Sequence, residues 1–436
     1  MKTLILGGDV RISTPVIKSA LAAGLMEVKC NVIDVGLCTT PTIYFLAAHN
    51  AVVDGGIMVT ASHNPIQYNG IKVCDGSGIS FHIDNFFSHI QRRVEQLEKE
   101  QISPVGNTEY GQLLQSTVVT TPQYWDYQNT HFHPQREISV GVEIGNGTCF
   151  PVIDLLHSKN IRVEALHSQP DGHFPIMIPD PAKPECLTYL QKTVLDNSLD
   201  IGIGFDADGD RLGIVDDQGQ IVRSDQLIML MGEYLLQKHP SADILIDVKT
   251  SRATLEYLTK LGAKVRFTKV GHSWIHEELL ESGAVLAGEL SGHYYFGGDY
   301  YGFDDVIYSA LRLLEILTQA DHPLSDLILN LPSYPASEEL RVPCPDAIKS
   351  IVVSNIQRIL TEKANKIITI DGVRAEFDNG WILVRKSGTE PVISARCEFD
   401  QIPQLRSNQN YMQELIFNEI ELVGKTVKNR GGELKS

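Results

Sequence analysis

Three aspartates at alternate positions are the most informative chemical feature of this chain. Asp206, Asp208 and Asp210 stand immediately before Arg211, in a segment called here the aspartate loop (residues 206–211). Carboxylates this close repel one another, so a bound cation is the natural reason to keep them together. Three protein ligands leave room for a phosphate oxygen, as Mg²⁺ sites in phosphoryl transfer require, and Arg211 can offset charge on the transferred group.

Two other interpretations of the aspartate loop are weaker. An EF-hand calcium loop requires glycine at its sixth position and glutamate at its twelfth, where this chain has Arg211 and Asp217. A solvated acidic turn is possible, but apolar strands are expected close on both sides of the loop. The pattern therefore favours a magnesium site.

A serine within a polar turn is the second candidate. The serine turn (residues 60–65) reads T-A-S-H-N-P and follows an apolar stretch. Such a tetrapeptide is usually only a turn before a proline. It can also expose a nucleophile, and Ser62 needs no local base if it is already phosphorylated and exchanges a phosphoryl group.

Two further stretches carry groups suited to sugars and phosphates. The glutamate loop (residues 288–293, G-E-L-S-G-H) offers a carboxylate, a hydroxyl and an imidazole, which can grip vicinal sugar hydroxyls, although a plain surface turn is as good a reading. The arginine turn (residues 385–391, R-K-S-G-T-E-P) has the cations, hydroxyls and glycine of an anion site. It also reads as a hairpin turn between strands, and both readings can hold together.

Composition limits the class of protein. At 436 residues the chain should form about three domains, or four small ones, and its 21% charged residues are ordinary for a soluble protein. The net charge of −17 argues against nucleic-acid partners, and no apolar run approaches a membrane span. Asp9 and Arg11 interrupt any signal-peptide core, and seven scattered cysteines suggest a reducing compartment. We therefore expect a cytoplasmic protein.

Strands and helices are expected to alternate along most of the chain. Thr14-Pro15 predicts the start of a helix that Gly24 ends, and Thr40-Pro41 predicts a second helix. The rhythm restarts twice, after a looser polar stretch at 109–137, and a proline-containing break at 323–345 precedes a final part with its own strands and helices. Four domains are predicted, three of them α/β with mostly parallel sheets and the last α+β.

Taken together, these four segments resemble the α-D-phosphohexomutase family. Its members carry, in this order, a phosphoserine loop T-A/G-S-H-N-P, a metal loop D-x-D-x-D-R, a sugar loop G-E-x-S-G-H and a phosphate loop R-x-S-G/N-T-x-P. The resemblance covers nearly the whole chain and is closest to the bacterial phosphomannomutase/phosphoglucomutase branch. It implies four domains around a central cleft, the last a mobile lid, and the boundaries expected here are 1–116, 117–221, 222–333 and 334–436.

The resemblance also implies an activity. Members interconvert hexose 6-phosphates and 1-phosphates through an enzyme phosphoserine and a hexose 1,6-bisphosphate. Carried onto this chain, Ser62 is the phosphoserine, Mg²⁺ binds to Asp206, Asp208 and Asp210 together with that phosphate, and Lys72 and Arg211 assist transfer. The implied substrate contacts are Lys249, His272, Glu289, Ser291, His293, Arg385, Ser387, Gly388 and Thr389.

The sequence leaves the start of the first domain and the preferred substrate open. Many members begin with a Y-D-I-R-G-like segment that this chain lacks before Leu4, and Gly8 stands where arginine is usual, so the first domain is expected to be N-terminally shortened and could expose a sheet edge. A phosphoglucosamine mutase is the nearest alternative, and a non-catalytic sugar-phosphate-binding protein a weaker one. The preferred sugar stays open, and either a monomer or a homodimer is expected.

Overall fold

The computed structural model describes residues 1–81, 86–100, 110–116, 119–388 and 390–429. By their internal contacts the residues group into two compact units. One comprises Met1–Ile244 and Gly271–Asn330, and the other comprises Leu245–Val270 and Leu331–Ser436. The domain boundaries expected from the sequence stay a prediction.

The first part of the chain forms a five-stranded mixed sheet. Its elements are β1 Thr3–Gly8, α1 Thr14–Glu27, β2 Asn31–Leu37, α2 Thr40–His49, β3 Gly55–Val59, β4 Ile71–Asp75, α3 Ser88–Glu100 and β5 Leu113–Leu114. The strand order is β4-β3-β1-β2-β5, with β1 parallel to both β2 and β3 and β4 antiparallel to β3. Strand β1 is therefore interior to this sheet, between β3 and β2.

The second part repeats this plan. Its elements are α4 Thr121–Thr130, β6 Ser139–Glu143, α5 Pro151–Ser158, β7 Arg162–Leu166, a short 3-10 helix at Pro184–Leu187, α6 Thr188–Asn197, β8 Ile201–Phe205, β9 Leu212–Asp216 and β10 Ile221–Val222. The order is β10-β9-β8-β6-β7. The aspartate loop connects β8 to β9, which are antiparallel, fully buried neighbours.

The third part carries the chain from one unit to the other and back. Its elements are α7 Ser224–Lys238, β11 Asp243–Asp247, α8 Arg252–Lys260, β12 Lys264–Thr268, α9 His272–Ser282, β13 Leu286–Gly288, β14 Tyr294–Phe296, α10 Val306–Gln319 and α11 Leu324–Leu329. Strands β13 and β14 pair antiparallel and hold the glutamate loop between them. The first unit thus carries three of the four candidate segments.

The last part is an antiparallel sheet with two long helices. Its elements are β15 Leu340–Pro343, α12 Asp346–Thr361, β16 Lys366–Ile368, β17 Val373–Phe377, β18 Gly380–Lys386, β19 Val392–Phe399 and α13 Ile402–Asn429. The order β15-β19-β18-β17-β16 places the arginine turn at the hairpin between β18 and β19. Mixed α/β sheets followed by this α+β part confirm the predicted fold class.

The prediction that Gly24 ends the first helix is wrong. Helix α1 continues to Glu27, and the chain leaves it through Lys29, whose φ is +65°. The backbone N–H of Cys30 then donates to the carbonyl of Leu25 at 3.0 Å, which satisfies one of the last helical carbonyls. Gly24 lies on the exposed side of the helix, where glycine is tolerated without ending it.

The described residues of the polar stretch at 109–137, which was predicted to be looser, include a helix. Helix α4 lies within it and begins, like α1 and α2, at a Thr-Pro pair. Its polar residues Tyr124 and Gln128 are buried and donate to the carboxylate of Asp305 at the start of α10. Among the described residues, no helix combines the length and apolarity that crossing a membrane requires.

Candidate active site

The serine turn follows the buried end of β3. Ser62 has φ +45°, a left-handed conformation that costs a non-glycine residue free energy and persists only when surrounding contacts impose it. Its backbone N–H donates to the Thr60 hydroxyl at 2.9 Å, and that hydroxyl donates to Asp9 at 2.8 Å. The side chain is directed to one partner in particular: Ser62 Oγ donates to Asp206 Oδ2 at 2.6 Å.

Arg11 supports this turn from beneath. The residue is 1% exposed and its Nε lies 3.2 Å from the buried carboxylate of Asp9. Its two terminal nitrogens donate to four backbone carbonyls of the turn and the residues after it. The acceptors, whose oxygens lie 2.6–3.1 Å from the arginine nitrogens, are the carbonyls of Ser62, Asn64, Pro65 and Tyr68.

Asp206 organises the aspartate loop around itself. Its Oδ1 accepts the backbone N–H groups of Gly209, Asp210 and Arg211 at 3.0–3.1 Å, which folds the loop tightly. Gly209 has φ +76°, and a Cβ there would lie 2.7 Å from the sulfur of Cys149, so only glycine fits. Burial, followed by the charges of Asp210 and Asp208, raises the pKa of Asp206 well above its ordinary value.

The three aspartates fit a cation. Their ligand oxygens lie within 4.8 Å of one another and all three residues are buried. Within the described part of the chain, Asp208 Oδ1 and Asp210 Oδ1 are buried without a hydrogen-bond partner, which is costly for a carboxylate unless something positive meets it. The hydroxyl of Thr40, at the start of α2, donates to the other oxygen of Asp208 at 2.6 Å and so orients it.

Lys72 brings a positive charge to the same cluster. Its ammonium on β4 donates to Asp208 at 2.9 Å and also to Asp210. Burial alone would lower the pKa of Lys72, but these two carboxylates raise it well above its ordinary value. Conversely, burial would raise the pKa of Asp210, yet Lys72, His293 and Arg211 hold it well below the ordinary value.

Arg211 and His293 continue this network. Arg211 donates to Asp180 at 3.2 Å and to His293 Nε2 at 3.3 Å, and His293 Nδ1 lies 3.1 Å from Asp304. Burial would lower the pKa of His293, but the charge of Asp210 and the bond to Asp304 raise it. These contacts place the glutamate-loop histidine beside the aspartate loop.

Glu289 is buried and held by two donors. The Tyr295 hydroxyl donates to it at 2.8 Å and the Gly271 N–H at 3.2 Å, just before α9. His272 is the first residue of α9, and burial lowers its pKa. Ser291 is partly exposed at the tip of the loop.

The second unit contains the remaining candidates. Lys249 follows β11, and its ammonium lies 3.9 Å from carboxylate oxygens of both Asp247 and Glu339. Two buried arginines fix the backbone around it. Arg374 donates to the carbonyls of Val248 and Thr250 at 2.8 and 2.7 Å, and Arg396 donates to the carbonyl of Lys249 at 2.7 Å.

The arginine turn is a hairpin tip with a buried cation behind it. Lys349 of α12 donates to the carbonyls of Ser387 and Glu390, each at 2.8 Å. Arg385 Nε donates to Asp371 at 2.9 Å, which orients the guanidinium. Gly388 is exposed, and Thr389 lies outside the described residues.

Comparison with known proteins identifies the family. Four models of the phosphoglucomutase/phosphomannomutase family match in order: alpha/beta/alpha domain I at residues 1–101, domain II at 123–219, domain III at 223–334 and the C-terminal domain at 339–410. This chain belongs to that family. The predicted family resemblance is thereby confirmed.

Individual members of this family align over most of the chain. The phosphomannomutase/phosphoglucomutase of Pseudomonas aeruginosa is 36% identical over 403 residues, 92% of this chain and 84% of that protein. A Methanopyrus kandleri protein named "Probable phosphoglucosamine mutase" is 32% identical over 432 residues, 97% and 91% respectively. The crystal structure of a family protein from Burkholderia thailandensis has a TM-score of 0.84 at 32% identity, covering 96% of this chain and 89% of that one.

Several residues at this site were not singled out from the sequence. Arg11, Thr40, Asp180 and Asp304 all contact the serine turn, the aspartate loop or the side chains beside them. Asp9 and Arg11 stand beside Gly8, where the sequence departs from the family pattern, but no role at the site was predicted for them. Thr40 and Asp180 act through contacts with residues 168 and 31 positions away, which no local pattern reveals.

Proposed function

We propose that this protein is a phosphohexomutase that interconverts hexose 6-phosphate and hexose 1-phosphate, with mannose, glucose or both as the sugar. A phosphoserine at Ser62 and a hexose 1,6-bisphosphate are its intermediates. The observation that carries the proposal is the 2.6 Å bond from Ser62 Oγ to Asp206, which joins the candidate nucleophile to a buried triad of carboxylates. A serine that only formed a turn would have no need of that triad.

The proposed reaction has two mirrored transfers. In the first, the bond between phosphorus and Ser62 Oγ breaks while phosphorus bonds to the free hydroxyl of the hexose monophosphate, giving the bisphosphate. In the second, the other phosphoryl group of the reoriented bisphosphate returns to Ser62. Lys72 is proposed to relay the sugar-hydroxyl proton, and Arg211 to offset charge on the phosphoryl group in flight.

A divalent metal, which we propose to be Mg²⁺, would be held by Asp206, Asp208 and Asp210 with the phosphate of Ser62. It would supply positive charge that offsets the phosphoryl oxygens during transfer. The two buried aspartate oxygens without protein partners support such an ion. Thr40 keeps Asp208 oriented towards this role by holding its second oxygen.

The remaining predicted residues are proposed to hold the substrate. Glu289, Ser291, His272 and His293 would grip sugar hydroxyls, since carboxylate, hydroxyl and imidazole together both donate and accept hydrogen bonds. The phosphate that is not reacting would be held by five residues of the second unit: Lys249, Arg385, Ser387, Gly388 and Thr389. The partners are thus hexose monophosphates and hexose 1,6-bisphosphate, and we propose that the protein acts in the cytoplasm as a monomer or homodimer.

Coupled assays on three substrates test this proposal. Purified protein primed with glucose 1,6-bisphosphate is assayed on mannose 1-phosphate, glucose 1-phosphate and glucosamine 1-phosphate. We expect turnover of the first, the second or both, and faster use of the third would favour the phosphoglucosamine mutase alternative. The non-catalytic alternative predicts binding without turnover of any of them.

Loss of one oxygen atom tests the role of Ser62. Ser62→Ala should abolish stoichiometric phosphorylation and reduce kcat by at least about 10⁴-fold, as expected when a covalent nucleophile is removed. Ser19→Ala, which removes an exposed hydroxyl on α1, is the matched control and should retain both. Peptide mapping that places the phosphate elsewhere, with Ser62→Ala active, would overturn the assignment.

A further inference from the structure

The buried guanidinium of Arg11 makes more contacts with the serine turn than an ion pair requires. Arg11 and Asp9 have fully buried side chains and lie 3.2 Å apart, which already balances the charge of each. The two terminal nitrogens of Arg11 nevertheless donate hydrogen bonds to four backbone carbonyls of residues 62–68. The ring of Phe174 covers the guanidinium at 5.5 Å. Arg11 is therefore a dedicated support for the backbone of the turn.

The contact with Ser62 fixes more than one atom. A trans peptide unit is planar, with its C=O and N–H on opposite sides. Because Arg11 Nη2 holds the Ser62 carbonyl at 2.6 Å, the N–H of His63 in the same unit must point away from Arg11. A backbone N–H oriented by a buried cation behind it is a ready donor for an anion in front of it.

The left-handed backbone of Ser62 makes this support necessary. A serine prefers other conformations, so the turn would relax without contacts that impose φ +45°. Relaxation would move Ser62 Oγ away from Asp206 and rotate the peptide between Ser62 and His63. Both changes would act on the step in which phosphorus is transferred.

We propose that Arg11 is a positioning residue for phosphoryl transfer, an inference that rests on the function proposed above. Arg11 holds the serine turn so that Ser62 Oγ stays beside Asp206 and the N–H of His63 donates to the phosphoryl group. It acts through backbone carbonyls and touches neither substrate nor metal. Its removal should slow transfer to and from Ser62 without weakening the grip on the non-reacting phosphate.

The main test is Arg11→Met, which keeps a flexible, unbranched side chain at this position, although a shorter one, and removes all the hydrogen-bond donors of the guanidinium. We expect kcat to fall about 100-fold with KM within about threefold of wild type, since misplacing a reacting group by about 1 Å costs about that much. The rate of Ser62 phosphorylation by glucose 1,6-bisphosphate, followed by intact mass, should fall by the same factor. Arg11→Lys should recover part of the loss, because an ammonium can reach some of these carbonyls but cannot fork across all four.

Two further variants separate positioning from folding. Arg312→Met is the matched control, because Arg312 also donates to a backbone carbonyl and lies 4.9 Å from an aromatic ring, that of Tyr308. It should change thermal stability but leave the phosphorylation rate of folded protein within about twofold. If Arg11→Met does not fold, the double variant Asp9→Asn/Arg11→Met, which leaves no buried carboxylate unpaired, replaces it.

Two outcomes would overturn the proposal. In one, Arg11→Met keeps the wild-type phosphorylation rate per folded molecule and loses only thermal stability, as the control does. In the other, KM rises while kcat is unchanged. Failure of the proposed function is distinguishable, because wild-type protein would then take up no phosphate from the bisphosphate.

Discussion

The serine turn and the arginine turn are each supported by a buried cation that binds backbone carbonyls, but to different extents. Behind the serine turn, Arg11 holds four carbonyls and Ser62 is only 9% exposed. Behind the arginine turn, Lys349 holds two carbonyls while Gly388 at the tip is exposed. In the first turn the serine is buried and the backbone is held at several carbonyls, although Asn64 and Pro65 are exposed, whereas the second is a hairpin tip held at two carbonyls.

This difference suits the two proposed tasks. Covalent transfer tolerates little displacement of the reacting oxygen, so its turn needs a rigid backbone. A phosphate that is only held can be gripped by charged side chains from an exposed tip, since charge-assisted bonds are strong and adjust to small displacements. Substitutions at the first site should therefore act on kcat, and substitutions at the second on KM.

Among substitutions outside the serine turn, the largest effect is expected at the aspartate loop. Asp208→Asn should lower kcat roughly 100- to 1000-fold, because one charged ligand of the proposed metal is lost while the amide oxygen can still accept from Thr40. The affinity of the variant for Mg²⁺, measured by calorimetry, should also fall. Removing the metal from the wild-type protein with EDTA should abolish turnover. Asp196→Asn, on an exposed face of α6, serves as the control. Full turnover of Asp208→Asn, or of wild type in EDTA, would remove the metal from the mechanism.

A smaller effect of a different kind is expected at the arginine turn. Arg385→Ala should raise KM about 10- to 100-fold with little change in kcat, because the forked bond proposed between Arg385 and phosphate would be made both before and during transfer. Arg385→Lys should recover only part of it, since an ammonium cannot fork across two oxygens. Free hexose bisphosphate should also accumulate, as the intermediate escapes more often.

The proposed division, in which the arginine turn acts on KM and the transfer site on kcat, would be wrong if substitution of Arg385 lowered kcat as substitution of Asp208 does. Steady-state kinetics that show a loss of kcat at unchanged KM would move Arg385 to the transfer centre. Lys425→Ala, which removes an exposed cation on α13, should leave both constants near wild type.

The smallest effect is expected behind the arginine turn. Lys349→Met removes the donor to the carbonyls of Ser387 and Glu390. KM should therefore rise about three- to tenfold, and the free energy of unfolding should fall by about 1–3 kcal/mol. Lys363→Met removes an exposed hydrogen bond from Lys363, just beyond the end of α12, to the hydroxyl of Tyr411 on α13, and should do neither. Equal effects of the two variants on KM would show that the turn does not depend on Lys349.

The sequence predicted the residues proposed to do the chemistry better than the residues that hold their backbone in place. Ser62 and the three aspartates could be found from the sequence because a few consecutive residues define the spacing of the carboxylates and the composition of the turn. Arg11 contacts residues more than 50 positions away, and Lys349 contacts a turn nearly 40 positions away. Those pairings exist only once the sheets have assembled, so no short pattern contains them.

The errors in secondary structure have similar causes. Helix α1 passes Gly24 because packing of its other face outweighs the weak propensity of one exposed glycine. Helix α4 was hidden by its polar composition, since Tyr124 and Gln128 face a buried carboxylate rather than water. In both places tertiary contacts decided the outcome.

The two buried arginines around Lys249 have a consequence for recombination. Arg374 and Arg396 lie on β17 and β19, yet their acceptors, the carbonyls of Val248, Lys249 and Thr250, precede them by more than 120 residues. A chimaera with a relative, joined in the proline-containing segment before β15, would pair donors from one parent with acceptors from the other. Each of these bonds that the two parents could not form together would leave a buried polar group unsatisfied, at a cost of about 1–3 kcal/mol. We therefore expect exchange of the C-terminal part to be less destabilising when residues 245–270 are exchanged with it.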